Sequence, residues 1–229
     1  MSAESTKENN IDEITEEDIP KDKKYDCVIV NTYFEVDDLQ DDSIISEGNK
    51  YTEKTRNLIE KAAGVTTEGG ILFVYGLPRY LPFFSVHLNA LEAQNCKFLF
   101  KYWIALEFNS GNKPNILKNS HIGLLMYLKT KSTILPTPFH LRTKEVRSPY
   151  KECAACGKNI KDWGGKKHLM NPLGTAFSDV WSDLNIDIDK AKNIPELIIK
   201  RIQNLVNKGK SKILIIKQKK IERKNKENE

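Results

Sequence analysis

Cys27-Val28-Ile29-Val30-Asn31-Thr32-Tyr33-Phe34 is the stretch on which the fold turns. Four apolar residues, three of them β-branched, run without polar interruption, the pattern of a strand covered on both faces in a parallel sheet. The run breaks at Asn31, so polar groups stand at the carboxyl end of a buried strand. Open α/β sheets place their sites there.

Working outward, Gly69-Gly70 introduces a second such run, Ile71-Leu72-Phe73-Val74-Tyr75. Between the two, residues 50–63 place Leu58, Ile59, Ala62 and Ala63 at helical spacing, which predicts a crossover helix stopped by Gly64. Residues 80–93 predict a second helix, and 98–108 (FLFKYWIALEF) and 121–129 (HIGLLMYLK) two further strands. The alternation predicts an α/β fold over 25–130 with an open sheet. Over 131–185, opened by Pro136, Pro138 and Pro149, the alternation is lost, and an inserted, loop-rich recognition region is expected. Residues 186–216 predict a returning helix with Pro195 in its first turn and a strand, Ile213-Leu214-Ile215-Ile216. Residues 1–24 are polar without a period and are expected to be disordered, and 217–229 form a basic tail.

The chain has 229 residues, with 36 basic against 31 acidic side chains and a net charge of +5. The excess is uneven: residues 1–24 hold eight acidic and four basic groups, residues 208–229 nine basic and three acidic. A basic tail favours a polyanion through counterion release, and a solvated terminus accounts for the same run. No run approaches the roughly 20 apolar residues of a membrane helix, and the acidic N-terminus has no apolar secretion signal. The expectation is a cytoplasmic protein. Four cysteines do not make a disulfide framework in a chain of this size, so reduced thiols or a single metal site are expected.

Residues 150–184 are polar, glycine-bearing and aromatic where a core segment would be apolar. Cys153 and Cys156 have the spacing of half a zinc site, which His140 and His168 could complete; with no second such pair in the chain, two reduced thiols in a turn are the favoured reading. Lys161, Lys166 and Lys167 surround Trp163, Gly164 and Gly165. Cations that grip phosphate, an indole that stacks on a base and glycines that admit close approach suit nucleic acid, while a solvated face explains the lysines alone. Asp162 suits a cap within that turn. Trp181 reads as an anchor of its loop, and His87 and His121 as structural.

KDWGGKKH at 161–168, SDVWSDL at 178–184 and the following Pro195-Glu196-Leu197-Ile198-Ile199-Lys200-Arg201-Ile202 resemble the target-recognition region and adjoining helix of the DNA amino-methyltransferases. The resemblance spans about residues 25–205 and is most specific over 160–202. It implies a Rossmann-like methyltransferase sheet in the permuted order, catalytic motif before cofactor motif. It implies methylation of adenine N6 or cytosine N4 in double-stranded DNA, with S-adenosylmethionine as cofactor. It places Asn31 at the polar catalytic position and Phe34 at the base-stacking aromatic, and gives Lys161, Trp163, Gly164, Gly165, Lys166 and Lys167 to DNA.

Two departures qualify what the resemblance implies. Thr32 and Tyr33 stand where the family has two prolines, which predicts a less preorganised loop. The strand at 213–216 is followed by lysines where the family has a glycine-rich cofactor loop, so the sheet is expected to be incomplete, with an unpaired apolar edge at that strand. The chain is accordingly expected to act with a methyltransferase partner subunit or as a homodimer. The rival reading is a non-catalytic DNA-binding subunit of a methyltransferase or restriction-modification complex.

Overall fold

The computed structural model describes residues 11–32, 44–109, 120–131, 142–143, 175–207 and 211–218. In chain order the strands are β1 (Ile11–Thr15), β2 (Tyr25–Asn31), β3 (Thr66–Gly76), β4 (Glu92–Ala93), β5 (Cys96–Glu107), β6 (His121–Thr130), β7 (Arg142–Thr143), β8 (Thr175–Ala176), β9 (Val180–Trp181) and β10 (Ile213–Lys217). Helices α1 (Ile44–Val65), α2 (Leu81–Ala90) and α3 (Glu196–Asn207) connect them, with a 3-10 turn at Ile188–Lys192. The main sheet has the order β1-β10-β2-β3-β6-β5-β4, with β9 also against β5. Strands β7 and β8 form a separate antiparallel pair.

The centre of the sheet is β2. It lies parallel to β3 on one side and to β10 on the other, and Cys27, Val28, Ile29 and Val30 are completely buried. The continuous apolar run is therefore needed: both faces are covered, and each such side chain contributes about 1.5–3 kcal/mol by leaving water. β3 repeats the pattern through Ile71–Tyr75, then β6 and β5 follow antiparallel. Helix α1 buries Leu58, Ile59, Ala62 and Ala63, and α3 buries Ile198, Ile202, Leu205 and Val206.

Several boundaries differ from those expected. Gly64 does not stop α1, which runs to Val65, and β3 begins at Thr66, taking Gly69 and Gly70 into the strand. Lys129 explains the helix end: its fully buried ammonium donates to the carbonyls of Ala63 at 2.8 Å and Thr66 at 2.9 Å, and to Gln94 Oε1 at 3.1 Å. A cation on the last carbonyls of a helix satisfies groups that a glycine cap would otherwise serve. Helix α2 ends at Ala90, and Ala93 belongs to β4.

The larger corrections concern the amino-terminal segment and the sheet edge. Residues 11–15, expected to be disordered with the rest of 1–24, form β1, parallel to β10. The unpaired edge expected at the 213–216 strand is thereby filled, since β10 has β1 on one side and β2 on the other. Ile11 and Ile14 pack against the core, Tyr25 donates its hydroxyl to Asp12 at 2.7 Å, and Lys217 pairs with Glu13 at 2.5 Å. An exposed edge of apolar β10 would be costly, and a short acidic strand covers it. Residues 1–10 lie outside the described residues.

Burial pulls the Lys129 pKa below the ordinary lysine value. Replacing it with methionine leaves three acceptors without their donor, so Lys129→Met should cost on the order of 2–3 kcal/mol. Thermal and urea unfolding of the variant would measure it, and an unchanged midpoint would show that water replaces the ammonium.

Candidate functional site

The carboxyl ends of β10, β2 and β3 lie side by side, with Lys217 opposite Asn31 and Asn31 opposite Tyr75. The chain leaves β2 for β3 on one side, while β10, the last described strand in sequence, enters on the other. Such a reversal of strand order opens a crevice at the carboxyl edge.

Asn31 and the residue after it are held tightly there. The amide N–H and the hydroxyl of Thr32 both donate to the Tyr75 carbonyl, at 2.8 and 2.9 Å. The Tyr51 hydroxyl, from α1, donates to the Thr32 carbonyl. Asn31 donates its side-chain amide to the Lys192 carbonyl at 2.9 Å, and its own carbonyl accepts from the Gln218 amide at 3.3 Å. Tyr75 donates its hydroxyl to the Ala191 carbonyl at 2.8 Å. The 3-10 turn at Ile188–Lys192 is itself fixed by Asn109, whose amide donates to Ile186 at 2.7 Å and whose carbonyl accepts from Ile188 at 2.8 Å.

These bonds correct the expectation of a loosely organised loop for Asn31 and Thr32. Without prolines, φ is restrained by hydrogen bonds on both sides of each peptide instead of by rings. Gly76 belongs to the same arrangement, because a Cβ there would run into the Thr32 hydroxyl. Burial pushes the Tyr51 phenol up, which keeps it a neutral donor. Asn31 is 5 % exposed and Thr32 0 %, so a ligand reaches them only when a neighbouring segment moves aside. Phe34 lies outside the described residues.

The end of β10 is built differently from a cofactor cradle. Lys217 is tied to Glu13, and the Gln218 side chain is tied to Thr55 at 3.0 Å. From 217 to 229 the sequence has no glycine. Long side chains knitting β10 to β1 and α1 do not fit the close backbone approach that S-adenosylmethionine requires in the resembled loop.

Among the described residues there is no cluster of three potential metal ligands. Cys153 and Cys156 lie outside them, as do Lys161, Trp163, Gly164, Gly165, Lys166 and Lys167. Cys27 and Cys96 are free and buried, and burial pushes the Cys27 thiol up, which suits a core residue and not a nucleophile. No described helix is long and apolar enough to cross a membrane.

The other two resembling segments are bonded to each other. Trp181 is 2 % exposed and donates its indole N–H to the Ser178 carbonyl at 2.9 Å, in keeping with the anchoring role expected of it. Arg201 of α3 forms a two-pronged pair with Asp183, both bonds 3.0 Å, and lies 5.0 Å from the Trp181 ring centroid. Residues 178–184 are thus clipped to α3, which leads into β10.

Sequence reasoning missed Tyr51, Tyr75 and the Lys192 carbonyl. Gly76 at the end of a buried strand was the one signal of a close approach, while the partner carbonyls have no side-chain signature.

No protein-family model matches the chain. The type II methyltransferase M.BamHI of Bacillus amyloliquefaciens is 29% identical over 191 residues, covering 81% of this chain and 42% of that protein. The chain thus spans less than half the length of that curated relative. Among solved structures, M1.HpyAVI superposes with a TM-score of 0.52 at 10% identity, over 93% of this chain and 92% of that one. A putative DNA modification methylase from Thermus thermophilus, complexed with S-adenosyl-L-methionine, superposes at 0.50 and 12% identity, over 91% and 89%. The likeness to solved structures supplies the Rossmann-like methyltransferase fold, and the sequence match is a similarity to part of a type II methyltransferase.

Proposed function

We propose that the chain provides the base-receiving loop and target-recognition region of a site-specific DNA amino-methyltransferase. Its substrate would be adenine N6 or cytosine N4 in double-stranded DNA, with S-adenosylmethionine as methyl donor, and a second methyltransferase polypeptide would supply the cofactor cradle. The observation that carries this reading is the pair of acceptors at the carboxyl end of β2, organised without prolines. The Lys192 carbonyl accepts from the Asn31 amide nitrogen, and the Thr32 carbonyl accepts from the Tyr51 hydroxyl. Two acceptors directed at one exocyclic amino group orient its nitrogen lone pair and stabilise the positive charge that develops on it. The Thermus neighbour's bound S-adenosyl-L-methionine supports the choice of donor. The glycine-free end of β10 supports a division of labour, and it is also what favours the rival reading of a non-catalytic DNA-binding subunit.

S-adenosylmethionine titrated calorimetrically should give no binding heat with this chain alone. Heat should appear when a methyltransferase subunit carrying an intact glycine-rich loop is added. Saturable binding by the chain alone would end the division of labour.

In that assembled complex Asn31→Ala should lower methylation roughly 10²–10³-fold, the scale for losing one preorganised polar contact, with DNA affinity nearly unchanged. Methylation at the parental rate would leave the non-catalytic reading standing.

Asn31→Asp discriminates further. An ionised carboxylate cannot donate to the Lys192 carbonyl and is repelled by it, so the variant should be impaired at pH 8. Relative to the parent it should recover as the pH falls and the carboxyl gains a proton to donate, because the acceptor beside it raises the pKa. A pH-independent ratio of variant to parent activity would show that the Lys192 contact does not matter.

A further inference from the structure

The contacts around Asn31 and Thr32 lead outward to two cations. Tyr51, which donates to the Thr32 carbonyl, meets the Tyr80 ring edge-on with centroids 4.8 Å apart, and the Arg79 guanidinium lies 5.6 Å from the Tyr80 centroid. Arg79 sits in the turn from β3 to α2, just beyond the Tyr75 that faces Asn31. Lys190 lies in the same 3-10 turn whose Lys192 carbonyl holds Asn31. Both side chains are exposed.

Neither is drawn into an ion pair with a described residue, as several other cations near the sheet are. Lys54, Lys131, Arg201 and Lys217 pair with Glu16, Glu68, Asp183 and Glu13. Arg79 and Lys190 have no carboxylate partner among the described residues. Asp187 and Asp189 flank Lys190 in sequence without pairing with it, and they weaken the field there, so Arg79 is the stronger of the two. Stacking against Tyr80 also orders the guanidinium, and its planar fork matches phosphate oxygens.

A base drawn out of a duplex brings its own backbone with it, and phosphates then flank whatever pocket receives the base. We propose that Arg79 and Lys190 clamp the phosphates on either side of the nucleotide whose base enters the Asn31–Thr32 site. This contact is separate from the recognition surface assigned to Lys161, Lys166 and Lys167, and it rests on the DNA-binding function proposed above. It positions the nucleotide and reads no sequence.

The test is fluorescence anisotropy of a mixed-sequence duplex of roughly 30 base pairs, titrated with the full chain over a range of salt concentrations. Each lost phosphate contact should remove about 0.9 from the slope of log affinity against log salt, so Arg79→Gln with Lys190→Gln should flatten it by nearly two. Arg79→Lys should keep most of the slope. Lys61→Gln is the control, because Lys61 is exposed in the last turns of α1, which lead into the start of β3 and away from its carboxyl end. It should change nothing. An unaltered slope in the double variant, or an equal loss in the control, would overturn the clamp while leaving DNA binding intact. If the unsubstituted chain shows no salt-dependent binding, the DNA reading falls and the clamp falls with it.

Discussion

Everything at the carboxyl edge depends on β2 being hydrogen-bonded in parallel on both sides. A buried strand has no water to satisfy its amides and carbonyls, so it must have a neighbour along each flank. Here β3 and β10 supply those neighbours in a register that sets Asn31 level with Tyr75 and Lys217. A register shift of one residue would turn every side chain of β2 to the other face. It would also separate Thr32 from the Tyr75 carbonyl that receives both its donors.

This constraint explains how Asn31 and Thr32 are held in place without prolines. A ring fixes φ locally whatever the surroundings, whereas Asn31 and Thr32 are fixed by groups from α1, β3, the 3-10 turn and the end of β10. The second solution is only as good as the tertiary structure. It couples the site to distant segments, because Asn109 holds the turn that holds Asn31, and Arg201 clips residues 178–184 to the helix that delivers β10. Burial of Thr32 completes the arrangement and makes opening a requirement for any ligand.

The apolar strands were legible in the sequence because two-sided burial leaves an unbroken run, as in Val28-Ile29-Val30 and Ile71–Tyr75. Asn31 was legible as the first polar residue after such a run. What could not be read was any contact made by a backbone carbonyl: Lys192 and Ala191 act through atoms every residue has. β1 was hidden for a related reason. Its five residues show no two-residue period, since only Ile11 and Ile14 are partly buried, and an edge strand with one neighbour needs little apolar surface. Lys129 was hidden because a lysine in an apolar strand reads as its solvated end, and here its ammonium is a helix cap.

The position of β1 changes what a second polypeptide could contact. Had β10 been the sheet edge, a partner could have completed the sheet by pairing directly with it. With β1 in that place, tied by Glu13 to Lys217 and by Asp12 to Tyr25, backbone pairing to β10 is already satisfied. In the proposed division of labour, a polypeptide bringing a cofactor cradle would come within reach of Asn31 across the carboxyl ends of β2 and β10. It would have to meet the Lys217–Glu13 pair and the Gln218–Thr55 contact, so those side chains, and not a strand edge, are where this chain's half of a divided site would end.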